Sequence, residues 1–246
     1  MNYKLNPIFG DDFKDFTLGI RDSFSSQSQT IHKARNELKI IAYKDVSTVV
    51  KSFKKPHILN RIVYSFFKDS KAKKSYEYSL KLKDFSPKPI AYIEFYEDNL
   101  LNDSYFISEE FIYDFTIREP LLNKNFKDRD SIFKAFARFT LEIHNHGIFH
   151  EDYSPGNILI KKENEHYTFK IVDVNRMGFF ELSQEDRAKN FSKLWASEEA
   201  LKIIATEYKN NFDCADDFIE KTLYYSLQNK KIKNFKKRLK GKEIDW

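Results

Sequence analysis

The sequence predicts an α+β fold of two unlike lobes, and three observations carry that prediction. Runs rich in β-forming residues crowd the first third of the chain. Helical periodicity takes over from about residue 129. A short strand-and-loop region with a cluster of polar residues, 147–176, interrupts the helices. Strands first and helices second within one chain argue two lobes with separate cores. The change of character puts the boundary near 114–120, with lobes over 1–115 and 116–246.

The first lobe reads as antiparallel strands with helices between them. Residues 36–43 and 46–53 are rich in Ile, Val, Thr, Tyr and Phe, and Lys44-Asp45 separates them, so they form a hairpin. Pro56 stops the second strand. Residues 57–68 carry apolar groups at helical spacing. Ser70 is placed to cap a following helix that holds Ala72, Tyr76, Glu77 and Leu80. Two more strand-like runs follow at 89–96 and 104–114. In the second lobe, residues 129–146 form a helix with Ile132, Phe133, Phe136, Phe139, Leu141 and Ile143 apolar. The stretch from 184 to 240 is helical. No repeat, low-complexity linker or heptad pattern occurs.

Composition narrows the class. With 246 residues, 41% apolar and 32% charged, the chain is large enough to bury a real core and is globular rather than disordered. The lone cysteine, Cys214, makes no internal disulfide and has no metal-ligand neighbours, so it reads as a small buried apolar residue. Residues 1–4 lack the apolar run of a secretory signal, and no stretch is long and apolar enough to span a membrane, so the expected location is the cytoplasm. The net charge of +5 is concentrated in two places. One is the stretch from Lys51 to Lys74; the other runs from Lys230 to Lys242. Either could be a solvated helix face. Ile232, Phe235 and Leu239 stand at helical spacing among the later lysines, so 230–242 is also an expected contact for an anionic, inner-membrane surface. The basic segments lack the outward aromatics of a nucleic-acid surface, and no nucleic-acid partner is expected.

The chemistry concentrates in Gly147-Ile148-Phe149-His150-Glu151-Asp152-Tyr153-Ser154-Pro155-Gly156-Asn157, an H-x-D-x-x-x-x-N pattern. Downstream, the apolar run Phe169-Lys170-Ile171-Val172 ends in Asp173. This set suits phosphoryl transfer. A positioned carboxylate, Asp152, can accept a hydrogen bond from an attacking hydroxyl. An amide oxygen and a second carboxylate, Asn157 and Asp173, can hold Mg²⁺ against phosphates. Each residue alone has a plain explanation as a turn or strand-end residue. Those explanations do not account for the three occurring together.

The segment resembles the catalytic loop of the protein-kinase-like superfamily. Its Pro-Gly-Asn ending is closer to kinases of small molecules and lipopolysaccharide, and the chain is most similar to the bacterial lipopolysaccharide core kinases that phosphorylate Kdo or heptose. The strand end Val49-Val50-Lys51-Ser52-Phe53-Lys54-Lys55-Pro56 and the helix Ser70–Tyr78 extend the resemblance over most of residues 30–180. The resemblance implies a two-lobed protein-kinase-like fold and the use of ATP and Mg²⁺. It implies a lipid-linked sugar or other small-molecule acceptor. It implies that Lys51 neutralises the α- and β-phosphates and that Glu77 pairs with Lys51. Asp152 would be the base and Asn157 and Asp173 the metal ligands. His150 would brace the loop from below, and the adenine hinge would lie within 109–113.

Alternatives stay open beside these roles. Lys54 rivals Lys51, although strand alternation puts Val49, Lys51 and Phe53 on one apolar face. Glu77 could instead serve Lys73 or Lys74 as a surface ion pair. The chain also departs from the family. Residues 29–36 hold no glycine, so Lys33 and Arg35 are candidates for gripping phosphates. Val-Asn-Arg follows Asp173, no Ala-Pro-Glu occurs, and Glu151 stands where protein kinases carry arginine. A kinase of a soluble small molecule or a protein, or a pseudokinase scaffold, is therefore a competing reading.

Overall fold

The computed structural model describes residues 1–28, 30–33, 36–164 and 166–241. The chain divides into two compact units: Met1–Ile112 with Asp173–Asn175, and Tyr113–Val172 with Arg176–Trp246.

The first unit is built on one antiparallel sheet. Its elements are β1 (Asn2–Leu5), α1 (Lys14–Leu18), α2 (Ile20–Ser26), β2 (Thr30–Lys33), β3 (Glu37–Tyr43), β4 (Val46–Phe53), α3 (Ile58–Phe66), α4 (Lys71–Leu82), β5 (Pro89–Glu97) and β6 (Leu100–Glu109). The strands lie in the order β1-β5-β6-β4-β3-β2, and every neighbouring pair is antiparallel. Lys44, at φ 51°, makes the tight turn from β3 to β4, where Tyr43 faces Val46. Both faces of the sheet are covered. Phe13, Phe16, Ile20 and Phe24 pack with Ile41, Val50, Ile93 and Ile107. Residues of opposite parity, Phe53 and Tyr92, pack with Ala72 and Tyr76 of α4, and Phe106 lies against them. Two-sided burial explains why residues 89–93 of β5 are apolar in succession instead of alternating.

Two local expectations change. Residues 14–26 are helical, where the first third was expected to be strands. Phe13, just before them, and their Phe16, Ile20 and Phe24 recur every three or four residues and are buried on one side. The Lys39 ammonium, buried, donates to the Phe24 and Gln27 carbonyls at 2.8 Å each and so satisfies the end of α2. The second change is at β6, which starts at Leu100 and ends at Glu109 instead of running from 104 to 114. Asp98 and Asn99, at φ 50° and 60°, form the turn that joins it to β5. Short Asp and Asn side chains tolerate that left-handed backbone, which suits a two-residue hairpin loop.

The second unit holds β7 (Phe115–Thr116), α5 (Arg118–Leu122), α6 (Arg129–Asn145), β8 (Ile148–His150), β9 (Ile158–Glu163), β10 (His166–Ile171), β11 (Met177–Phe179), α7 (Gln184–Phe191), α8 (Glu198–Asn210) and α9 (Phe218–Arg238). Helix α6 buries Ile132, Phe133, Phe136, Leu141 and Ile143 and packs against α8, while α7 and α8 pack against α9. Serine caps start three helices: Ser70 on α4, Ser183 on α7 in a capping box with Asp186, and Ser197 on α8. Two small sheets, β10-β9-β7 and β11-β8, frame the segment 147–176.

On α9, Lys230 donates to the Ala196 carbonyl at 2.7 Å, and Lys233 and Lys237 lie over the Trp195 ring at 4.8 and 5.9 Å. Ile232, Phe235 and Leu239 are exposed. Lys242 lies outside the described residues. Among the described residues, no helix is long and apolar enough to cross a membrane.

Tyr76 of α4 is fully buried, and its hydroxyl finds no hydrogen-bond partner among the described residues. Burial pushes its pKa up to about 12. A buried hydroxyl without a partner carries an uncompensated desolvation cost. Tyr76→Phe is therefore expected to leave stability unchanged or raise it by about 1 kcal/mol. Tyr76→Ala opens a cavity and is expected to cost about 3–5 kcal/mol. Urea unfolding of the three proteins checks both values.

Candidate functional site

The chemistry-bearing residues gather in two clusters, one in each unit. In the first unit, Lys51 lies on β4 with its side chain on the α4 face, as the packing of Phe53 requires. Its Nζ sits 5.3 Å from the centre of the Phe53 ring and donates to Asp173 Oδ1 at 2.5 Å. Only 12% of the Lys51 side chain is exposed, whereas Lys54 is exposed. A lysine so far withdrawn from water needs a fixed counter-charge, and Asp173 supplies it. Asp173 takes a left-handed backbone, φ 57°, and also accepts from Asn175 Nδ2 at 2.6 Å.

Glu77 does not share this cluster. The expected Lys51–Glu77 ion pair is not among those of the described residues, and Lys51 pairs with Asp173 instead. The reason lies in the packing of α4. Tyr76 and Ala72 occupy its sheet-facing side, and Glu77 stands one residue round the helix, where its charge acts on Lys73, Tyr76 and Tyr92. Arg35 and the Lys33 side chain, the candidate phosphate grips, lie outside the described residues.

In the second unit, the loop after β8 carries Asp152 and Asn157. The antiparallel pairing of His150 with Met177 fixes where the loop begins, and Glu151 N donates to the Arg176 carbonyl at 3.1 Å. Gly147 allows β8 and β11 to approach: at φ 69°, a Cβ there would fall 2.8 Å from the Phe180 carbonyl oxygen. His150 is fully buried. The Asp152 N–H donates to its Nδ1 at 3.1 Å, so the ring proton sits on Nε2, which donates to the Val172 carbonyl at 3.1 Å. One imidazole thereby ties the loop to the residue after β10. Asn157 donates from Nδ2 to the Asp152 carbonyl at 2.9 Å, and its own carbonyl accepts from Val172 N at 2.9 Å. The Glu151 and Asp152 N–H groups and the Asp152 carbonyl are thus held while the carboxylate projects, 46% exposed.

A buried relay supports His150 from beneath, and sequence reasoning missed it. Arg187 donates to the Tyr208 hydroxyl at 2.9 Å, and that hydroxyl donates to His144 Nδ1 at 2.9 Å. His144 Nε2 donates to Asn190 Oδ1 at 3.0 Å, and Asn190 Nδ2 donates to the His150 carbonyl at 2.9 Å. Arg187 can only donate and the His150 carbonyl can only accept, so every link in the chain runs the same way. The relay works only with His144 neutral. Burial, with a smaller opposing effect from the Asn190 hydrogen bond and a push from Arg187, holds its pKa down to about 4. Four residues from three helices meet here, and no spacing in the sequence signals it.

Positive charge surrounds Asp152. The Arg176 guanidinium stands 4.0 Å from Asp152 Oδ2, with both side chains about half exposed, so the pair is weak. Lys233 of α9 has its pKa lowered by burial and then by Lys193, and the charge of Asp152 opposes that shift. Arg118 approaches the loop closely: a Cβ on Gly156 would lie 2.7 Å from its guanidinium. Cys214 is half-buried and its thiol is pushed up by burial, the opposite of an activated nucleophile. Among the described residues, no three His, Cys, Asp or Glu side chains gather as a metal cluster.

No protein-family model matches the chain. No curated protein sequence matches it either. Among solved structures, WaaP in complex with acyl carrier protein is similar, with a TM-score of 0.60 and 14% identity over 94% of this chain and 99% of that one. The chain has a protein-kinase-like α+β fold, with an N-terminal antiparallel sheet and a mainly helical C-terminal part.

The relay makes a pH prediction. Between pH 6.5 and about 4, an unfolded chain protonates His144 while the folded chain does not. Stability therefore falls as pH drops through that window, by up to about 3 kcal/mol. In His144→Gln that part of the slope disappears. Urea midpoints of both proteins measured across the window test this, and identical slopes would contradict it.

Proposed function

We propose that the protein is an ATP-dependent phosphotransferase that acts on a sugar hydroxyl, Kdo or heptose, of a lipid-linked lipopolysaccharide or lipid A precursor. The observation that carries this reading is the buried His150 brace, which holds the Asp152–Asn157 loop rigid and leaves one carboxylate projecting, within a protein-kinase-like fold. Asp152 accepts the hydrogen bond of the acceptor hydroxyl and orients its oxygen. The new bond joins that oxygen to the γ-phosphorus. The bond from the γ-phosphorus to the β–γ bridging oxygen breaks, ADP leaves, and the hydroxyl proton passes to the Asp152 carboxylate. Lys51 supplies positive charge to the α- and β-phosphates.

Each unit offers an oxygen donor of the kind Mg²⁺ takes. Asn157 spends its Nδ2 on the Asp152 carbonyl, so its Oδ1 is the atom that would serve as ligand, and in the other unit Asp173 offers a carboxylate. Two hard oxygen donors completed by phosphates and water are what this ion takes. When bound, it neutralises charge on the phosphates.

The positive surroundings of Asp152, Arg176 and Lys233 in particular, support an acceptor that itself bears negative charge. That favours the lipid-linked acidic sugar over a neutral soluble molecule. One observation favours a pseudokinase scaffold instead: among the described residues, Lys51 pairs with Asp173 and not with the helix glutamate Glu77.

The test is phosphate transfer from γ-labelled Mg²⁺-ATP to Kdo-bearing lipid A. Labelled lipid is expected with the wild-type protein, and a loss of at least about a hundredfold in Asp152→Ala with ATP affinity kept. Full activity in Asp152→Ala would contradict the assigned base. ATP binding with no transfer would discard this acceptor, and absence of ATP binding would favour the scaffold.

A further inference from the structure

Helix α3 is amphipathic and sits the wrong way round for a core helix. None of its residues is buried. Its polar side makes the contacts with the sheet. Arg61 Nε donates to the Leu101 carbonyl at 2.8 Å, and the Ser65 hydroxyl accepts from Leu101 N at 2.8 Å. Its apolar side faces water. Ile58, Leu59, Ile62 and Phe66 fall within about one third of the helix circumference. Their exposures are 47%, 70%, 38% and 62%, and Phe67, just beyond, is 78% exposed. Hydrogen bonds anchor this helix, so its apolar stripe is displayed and not merely left over.

Charge identifies what the stripe meets. From residue 54 to 74 the chain holds Lys54, Lys55, Arg61, Lys68, Lys71, Lys73 and Lys74 against one acid, Asp69. Asp69 pairs with Lys73 at 2.7 Å. Lys54 and Lys68, at the two ends of α3, are exposed. A cavity of about 340 Å³ opens beside the helix, lined among others by Lys54, Lys55, His57, Asn60, Tyr64 and Lys71. Lys55 also reaches Glu97 at 3.5 Å. Exposed lysines at both ends of an exposed apolar stripe are the pattern of a helix that lies on an anionic phospholipid surface.

We propose that the apolar stripe of α3, with the exposed lysines at its two ends, forms a docking surface for an anionic phospholipid membrane. This surface is separate from Lys51 and Asp173 and from the C-terminal helix α9. It does not depend on the proposed phosphotransfer, because the test reads vesicle binding without ATP, and either reading can fail alone.

The experiment is co-sedimentation of the full chain with vesicles of pure phosphatidylglycerol and of pure phosphatidylcholine. Binding to the first and at least about tenfold weaker binding to the second are expected. Leu59→Ser/Phe66→Ser and, separately, Lys54→Glu/Lys68→Glu are each expected to weaken binding at least about tenfold at an unchanged melting temperature. All four side chains are exposed, so the fold does not rely on them. A control on the other exposed apolar helix, Phe235→Ser/Leu239→Ser, is expected to bind as wild type. The proposal is overturned if the wild-type protein ignores phosphatidylglycerol vesicles or if both α3 variants bind normally. It is overturned equally if only the α9 variant loses binding. A protein partner would then be the occupant to seek.

Discussion

A lysine ammonium held 2.5 Å from an aspartate carboxylate 122 residues away is the contact around which the first unit is arranged. Lys51 can sit in that place only because β4 alternates correctly. Val50 turns into the core with Ile41 and Ile107, while Phe53 turns to the α4 side and carries Lys51 with it. One slip in register would exchange those faces and put the charge into the apolar core. At the other end, Asp173 accepts a left-handed backbone to present its carboxylate, and Asn175 donates to the same oxygen. Partnered charges of this kind add little to stability and much to position, because removing one leaves the other withdrawn from water without a partner.

The second unit solves a different positioning problem. The base role proposed for Asp152 requires its carboxylate to project from a firmly held backbone. His150 does this with two hydrogen bonds, accepting from Asp152 and donating to Val172. The Arg187–Tyr208–His144–Asn190 chain then fixes the His150 carbonyl. The cost is a histidine kept neutral far below its ordinary range, which makes the support for the loop sensitive to acid.

Much of this was legible in the sequence where local chemistry decides. The 36–53 hairpin, the Ser70 cap and the buried face of residues 129–145 follow from turn residues, side-chain capping and period. The helices at 14–26 were equally periodic, but Gly19 divides them into two short pieces that strand-rich surroundings mask. The Asp98-Asn99 turn was hidden because both residues fall inside a polar stretch that reads as an ordinary loop. In the site, residue types and spacing singled out Asp152, Asn157 and Asp173. The expected Glu77 partner rested on likeness alone, and packing of Tyr76 against Tyr92 turned that glutamate elsewhere. The relay beneath His150 joins residues 21 to 64 positions apart, so only the tertiary fold shows it.

The proposed function requires the Lys51–Asp173 pair to receive a metal-bound nucleotide. The direct measurement is the melting temperature of wild type and Lys51→Met with ATP, in the presence of Mg²⁺ and of a chelator. The account predicts that Mg²⁺-ATP raises the wild-type melting temperature, that chelation removes most of the rise, and that Lys51→Met shows little of it. An unmoved wild-type melting temperature, or an equal rise in Lys51→Met, would contradict it.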